Sequence, residues 1–208
     1  MDIKPDDLSA AEMHKLLIGC VVPRPIAWVS SQDANGTYNL APYSFFNAIC
    51  AKPPTLMIAA TYRPAHPDGQ KDTLRNIQDV GEYVINIVTE PNMVAMNQSA
   101  TDYPEAVDEF AEVGVTPAPS VTVRPPRVAE APINFECVLQ QIIPVGDGPG
   151  SATIVLGTIQ HIYVRDDLIN ARYHIDIHGL QPIGRLAGNS YAYVHEVFDL
   201  IRKPYEAK

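Results

Sequence analysis

Arg24-Pro25-Ile26-Ala27-Trp28-Val29-Ser30-Ser31, then Asp33-Ala34-Asn35-Gly36, then Asn39-Leu40-Ala41-Pro42-Tyr43-Ser44-Phe45-Phe46-Asn47 is the stretch whose reading decides the fold. Pro23 and Pro25 stiffen its entry, and Ile26 to Ser30 is rich in strand formers. Asn35-Gly36 tolerates the positive φ angles of a tight reversal, so the stretch reads as a hairpin. Such a hairpin presents Arg24 at one strand end and the Ser30 and Ser31 hydroxyls at the other. Its loop from Asn39 to Ser44 is rich in hydrogen-bonding groups.

Working outward, Tyr38 to Ala48 is the returning segment, Pro53-Pro54 marks a loop, and Thr55 to Thr61 is another buried strand, giving three strands by residue 61. Upstream, residues 7–17 have the apolar spacing of a short amphipathic helix, with Ser9 near its start. This helix is expected to plug or cover a barrel end. Downstream, Asp72 to Val80 reads as a helix capped by Asp72 or Thr73 and stopped by Gly81, followed by a strand over Tyr83–Val88. A helix around Val94–Ser99 and an acidic loop, Asp102 to Glu109, are expected outside the barrel wall. Pro117 to Pro132 is an ordered excursion, and Ile133–Pro144 with Ala152–Val164 forms a long hairpin around Gly146–Gly150. Without repeats or regular βαβ alternation, the pattern predicts a mostly β domain: a Greek-key-like antiparallel barrel, closed or partly closed, with added helices. One domain over 1–208 is expected, with a C-terminal extension from about residue 170.

Composition narrows the function classes. No apolar run approaches the roughly 20 residues needed to cross a bilayer. The N-terminus lacks the basic-then-apolar pattern of a secretory signal, so a cytoplasmic protein is expected. Cys20, Cys50 and Cys137 are odd in number and far apart, and are expected to be buried, inert thiols. A net charge of −9 argues against nucleic acid as a partner yet leaves room for one local basic pocket that holds a phosphate. On a strand, His174, Asp176 and His178 would share a face, but this spacing alone is weak evidence and no metal is expected. Gly184 to Gly188 lacks the strand and long helix of a dinucleotide fingerprint, and no nucleophile triad is recognisable.

The ordered motifs resemble the flavin-reductase-like, FMN-binding split-barrel family, with its Arg-Pro-Ile strand, Asn-x-Ala-Pro-x-Ser loop and following Phe-x-Asn. The resemblance continues through Lys71-Asp72-Thr73, Gly81 to Ile87 and Met96-Asn97-Gln98-Ser99. It covers roughly residues 20–165, with a fainter match through Pro182-Ile183-Gly184-Arg185 and Tyr191. It implies bound FMN held among Arg24, Pro25, Ile26, Ser30, Ser31, Asn39, Ala41, Pro42, Ser44, Phe46, Asn47, Lys71, Asp72, Thr73 and Arg185. FMN needs positive charge and donors for its phosphate and a slot with polar edges for its ring. Arg24, Lys71 and the hydroxyls of Ser30, Ser31, Ser44 and Thr73 are candidates for the phosphate and ribityl chain, and backbone amides from Asn39 to Ser44 for the ring edge. Read alone, Thr73 is equally a helix cap, Ser30 a strand-edge partner, Arg24 an ion-pair partner, and Asn39 and Asn47 turn residues.

The resemblance further implies a homodimer with the flavin near the subunit interface, where the segment bearing Arg185 approaches it and is often contributed across that interface, and an oxidoreductase passing electrons from NADH or NADPH through FMN to free flavin or another acceptor. No side chain need act as acid or base in that chemistry. The alternative reading is an FMN-binding electron carrier or storage protein without nicotinamide turnover.

Overall fold

In the computed structural model, which describes residues 1–64 and 69–205, the N-terminal helix α1 spans Ala10–Cys20. A capping box sets its start: Ser9 Oγ accepts the Glu12 amide, and Glu12 Oε2 accepts the Ser9 amide at 2.9 Å. β1 (Ala27–Gln32) and β2 (Tyr38–Tyr43) form the expected hairpin, with Ala27 opposite Tyr43 and Gln32 opposite Tyr38. Asp33 Oδ1 accepts the Asn35 and Thr37 amides, and Gly36 takes the left-handed φ of 91° that closes the turn.

The returning segment, expected to run on to Ala48, breaks at Ser44-Phe45. β3 (Phe46–Ala51) pairs with β4 (Pro54–Thr61) instead of β1, so four strands rather than three precede residue 62. The break follows from β1, which offers no ladder before Ala27 because Pro25 lacks a donor. α2 (Asp72–Val80), β5 (Glu82–Ile87), α3 (Met93–Gln98) and α4 (Glu109–Val113) follow. The excursion carries a two-residue hairpin, β6 (Pro117–Ala118) with β7 (Arg127–Val128). β8 (Ile133–Val145) and β9 (Ala152–Val164) make the long hairpin, and α5 (Ile177–Leu180), β10 (Ile183–Arg185) and β11 (Tyr191–Tyr193) complete the chain's elements.

The main sheet runs β2-β1-β5-β8-β9-β4-β3 with every neighbouring pair antiparallel. Its two outer strands are consecutive in the chain, so the sheet curls until its edges meet. Alternate residues fill the interior: Ala27 and Val29, Ala41 and Tyr43, Ile58 and Ala60, Tyr83 and Ile85, with Leu74 and Ile77 of α2. α2 therefore plugs the barrel. The expected plug, α1, begins and ends three residues later than predicted and buries none of its residues. Trp28 and Leu40 point the other way, into a second cluster under α3 and α4 with Met96, Phe110 and Val128. Trp28 Nε1 donates to Ser99 Oγ at 2.9 Å, which fixes the end of α3 over β1. Both faces of β1 are thus covered, which is why its run lacks polar alternation.

Other expectations change. Cys137 is buried, but Cys20 and Cys50 are exposed, because α1 and edge strand β3 face outward. His174 to His178 is not a strand: Asp176 caps α5, accepting the His178 amide at 3.1 Å. No helix among the described residues is long and apolar enough to cross a membrane.

Gly157 of β9 faces Tyr83, and a Cβ there would lie 1.9 Å from the Tyr83 hydroxyl oxygen. Gly157→Ala is expected to destabilise the barrel by about 3 kcal/mol, read as a lower urea midpoint at unchanged slope. An unchanged midpoint would contradict this packing.

Candidate functional site

A groove follows β2 from the start of α2 to β10. At one end Asn39, Ala41, Lys71, Asp72, Thr73 and Glu109 form its wall together with Ser99 and Thr101–Tyr103. Next comes a cleft of about 170 Å³ between β2, α1 and the chain after β4, lined by Pro42, Tyr43, Ser44, Phe45, Arg24, Arg63, Lys71 and Arg185. Beyond Pro42 and Ser44 lies a slot of about 180 Å³ bounded by Ile26, Met96, Asn97, Ala100, Arg185 and Tyr191.

Charge is concentrated in the middle. Among the described residues, four cations, Arg24, Arg63, Lys71 and Arg185, line this cleft and no carboxylate does, on a chain of net charge −9. Lys71 lies over the Tyr43 ring at 5.3 Å. Burial, reinforced by Arg63, pushes its ammonium down to about 8. Lys71 is also the N-cap of α2 and makes no side-chain cap hydrogen bond, so among the described residues its side chain does not compete with an anion for the helix's first amides. The Tyr43 hydroxyl and Arg63 Nε are buried without hydrogen-bond partners among the described residues.

Arg24 has a different role from Lys71. Its guanidinium is nearly buried, at 5% exposure. Nη1 donates to the Ile18 and Val21 carbonyls at 2.8 and 2.6 Å, Nη2 to Leu186 at 3.0 Å, and Nε to Ser44 Oγ at 3.4 Å. Four of its five donors are spent inside the chain. It is a clamp joining the end of α1, the β10–β11 loop and Ser44. Its backbone also bridges to Arg185, which brings Arg185 into the cleft of its own chain and over the Tyr191 ring at 4.4 Å.

A buried polar network underlies the first end of the groove. Asn39 Oδ1 accepts from Thr73 Oγ1 at 2.6 Å and from Ser31 Oγ at 3.2 Å, while Asn39 Nδ2 donates to Glu109 Oε1 at 2.7 Å. Asn76 Nδ2 donates to Ser31 Oγ. Thr73 therefore ties α2 to β2 instead of capping its helix, and Asp72 pairs with Arg75 one turn on.

The structure brings Ile26, Ala41, Pro42, Ser44, Lys71, Asp72, Thr73, Asn39, Arg24 and Arg185 to the groove wall. Ser30, Ser31, Phe46 and Asn47 do not line it in this chain. Ser30 is on the opposite face of β1 and donates to the Pro126 carbonyl at 2.5 Å, and Ser31 lies beneath Asn39. Phe46 packs against the barrel interior, and Asn47 is exposed on β3 and accepts the Ala48 amide. Both lie past the break, where the chain crosses to the other sheet edge. Pro25 precedes β1 without lining the groove. Sequence reasoning missed Arg63 and Glu109. An isolated arginine after a strand carries no local signal, and Glu109 ends an acidic loop expected outside the barrel wall, with nothing local to mark it as buried against β2.

Residues 18–179 match the family model of the flavin reductase like domain. The uncharacterized protein BH2278 of Halalkalibacterium halodurans is 41% identical over 97% of this chain and 96% of its own. Nitrilotriacetate monooxygenase component B from Bacillus cereus superposes with a TM-score of 0.90 at 35% identity, over 96% of this chain and 98% of that one. The 2-nitrobenzoate 2-nitroreductase NbaA of Pseudomonas fluorescens does so with 0.88 at 32%, over 100% and 99%. The barrel, the motif order and these likenesses agree: this chain belongs to the flavin reductase-like domain family, built on the split barrel.

Proposed function

We propose that this chain binds FMN along β2 and acts as a flavin reductase, drawing electrons from NADH or NADPH for free flavin or another acceptor. The carrying observation is the cluster of four cations around a cleft with no carboxylate among its described lining residues, continuous with a partly apolar slot. Lys71, Arg63 and the uncapped start of α2 would hold the phosphate, with Thr73 at its side. Pro42, Ser44, Ile26, Met96, Tyr191 and Arg185 would hold the ring. The orphaned Tyr43 hydroxyl and Arg63 Nε, together with the mixed lining of the slot, fit such an occupant.

The flavin, when bound, supplies the electron-transfer chemistry. The chain supplies orientation and charge. Arg185 sets positive charge beside the slot, where it favours added negative charge, and the Arg24 clamp holds Ser44 and the Leu186 loop at a fixed separation. Arg24 acts here as a positioning residue rather than a phosphate ligand. The two full-length structural relatives, named for a monooxygenase component and a nitroreductase, are consistent with oxidoreduction.

A homodimer is part of this reading. Leu17 and Val21 of the α1 region, Ile49 of β3, and Val197, Phe198, Leu200 and Ile201 near the C-terminus all expose large apolar side chains. Light scattering is expected to give twice the 22.8 kDa chain mass; a monomer at micromolar concentration would contradict it.

Lys71→Met is expected to weaken FMN binding by about tenfold or more while leaving riboflavin, which lacks the phosphate, nearly unaffected. Equal loss for both ligands would refute the phosphate assignment. Arg24→Met is expected to lower stability by about 3 kcal/mol, because buried carbonyls lose their donors, and to weaken both ligands alike. Anaerobic NADH or NADPH is expected to bleach the flavin absorbance of the loaded protein. Bound flavin that neither donor bleaches would make the chain a carrier instead.

A further inference from the structure

Glu109 has no role in the function proposed above, yet among the described residues it is the most deeply placed carboxylate of the groove, at 6% exposure. It opens α4, whose N-cap is Asp108, and reaches across to β2. Its two oxygens accept from Asn39 Nδ2 at 2.7 Å and from the Leu40 amide at 3.1 Å. It forms no ion pair among the described residues. Through Asn39 it is one bond removed from the Thr73 hydroxyl, and it shares a wall with Lys71.

The groups facing it are few. From α2 come Lys71 and Asp72; from the chain before α4 come Asp102 and Tyr103; its own helix carries Asp108 and Glu112. Arg63 stands behind Asp102 at 3.9 Å. Among the described residues β2 contributes Asn39, Ala41 and the Tyr43 phenol, which burial keeps neutral. A phosphate docking beside Lys71 and Thr73 would therefore bring up to two negative charges into a small chamber that already holds a buried carboxylate. Either the two repel, or the carboxylate takes a proton. A protonated carboxyl keeps acceptor capacity for Asn39 and Leu40 and gains an O–H donor.

Resting on the flavin reading, we propose that Glu109 couples proton uptake to flavin binding: it captures a proton from solvent as the phosphate docks, so affinity rises as the site is acidified. The buried setting already favours this, since burial, with a small push from Asp72, outweighs the hydrogen bonds from Leu40 and Asn39 and raises the Glu109 carboxyl to about 7. Its titration therefore falls where small changes of pH matter. Lys71, depressed to about 8, loses its charge at higher pH, and both effects weaken phosphate binding as pH rises.

The test is calorimetric titration of the full chain with FMN at about pH 7 in buffers of differing ionisation enthalpy, where the ester phosphate is largely dianionic. The wild type is expected to take up a fraction of a proton per FMN, and Glu109→Gln clearly less, retaining only the small uptake by Lys71. The wild-type affinity is expected to fall by about tenfold from pH 6.5 to 8, with a much flatter profile in Glu109→Gln at retained binding. Riboflavin is expected to show neither effect. Carbon-13 NMR of the wild type gives a readout that needs no variant: the Glu109 midpoint is expected to rise when FMN is added. Equal proton uptake by wild type and Glu109→Gln, or a Glu109 midpoint that does not move, would overturn the inference while leaving the flavin site intact. Failure of FMN to bind at any pH would overturn the flavin reading as well.

Discussion

Ser44 alone separates the last residue of β2 paired to β1 from Phe45, whose carbonyl accepts the Ala59 amide of β4 at 2.8 Å. The strands on either side of it are the opposite edges of a seven-stranded sheet. A chain that passes between the two edges in so few residues requires the sheet to roll. The same passage leaves Pro42, Tyr43 and Ser44 at a seam where the backbone cannot pair on both sides, because Pro42 has no N–H and the ladder to β1 ends at Tyr43. The groove follows this seam: closure of the barrel and formation of a binding surface are one structural event. Arg24 and Arg185 flank it because β10 bridges to the residues just before β1, and the clamp from Arg24 to Ser44, Ile18, Val21 and Leu186 holds the rim together.

The second organising feature is α2. Leu74 and Ile77 enter the barrel, so the helix axis is fixed by apolar burial, while Thr73 and Asn76 on its edge join the polar network of Ser31 and Asn39. Apolar burial sets where the helix lies, and the hydrogen bonds set how it is rotated, because each buried polar partner would be costly to leave unmade. The result aims the uncapped start of the helix, with Lys71, along the groove. An acidic protein thereby gathers positive charge at one place, and burial makes that charge more effective than an exposed lysine would be.

Much of this was legible in the residues. Turn chemistry at Asp33–Gly36, the strand-rich segments and the long hairpin around Gly146–Gly150 depend on local rules, and the structure follows them. Asn39, Pro42, Lys71 and Thr73 were legible as groove residues from motif order. What was not legible is set by tertiary contacts. Nothing local shows that β2 must end at Tyr43, since the limit is imposed by β1 and by Pro25. The apolar positions of α1 have ordinary amphipathic spacing, yet the barrel end they were expected to fill is occupied by α2. Ser30 looked like a binding hydroxyl, but strand alternation turns it toward Pro126. The acidic run ending at Glu109 is expected outside the barrel wall, and only the packing of α4 on β2 reveals a buried carboxylate within it.

In the proposed complex a flavin phosphate and ring lie along β2 between the start of α2 and β10. Hydrogen exchange of the full chain with and without FMN tests it most directly. Slowed exchange is predicted for amides 39–44, for 72–74 at the start of α2, and for 185–191, with β8 and β9 unchanged. Protection confined to other segments, or none at a saturating FMN concentration, would contradict it.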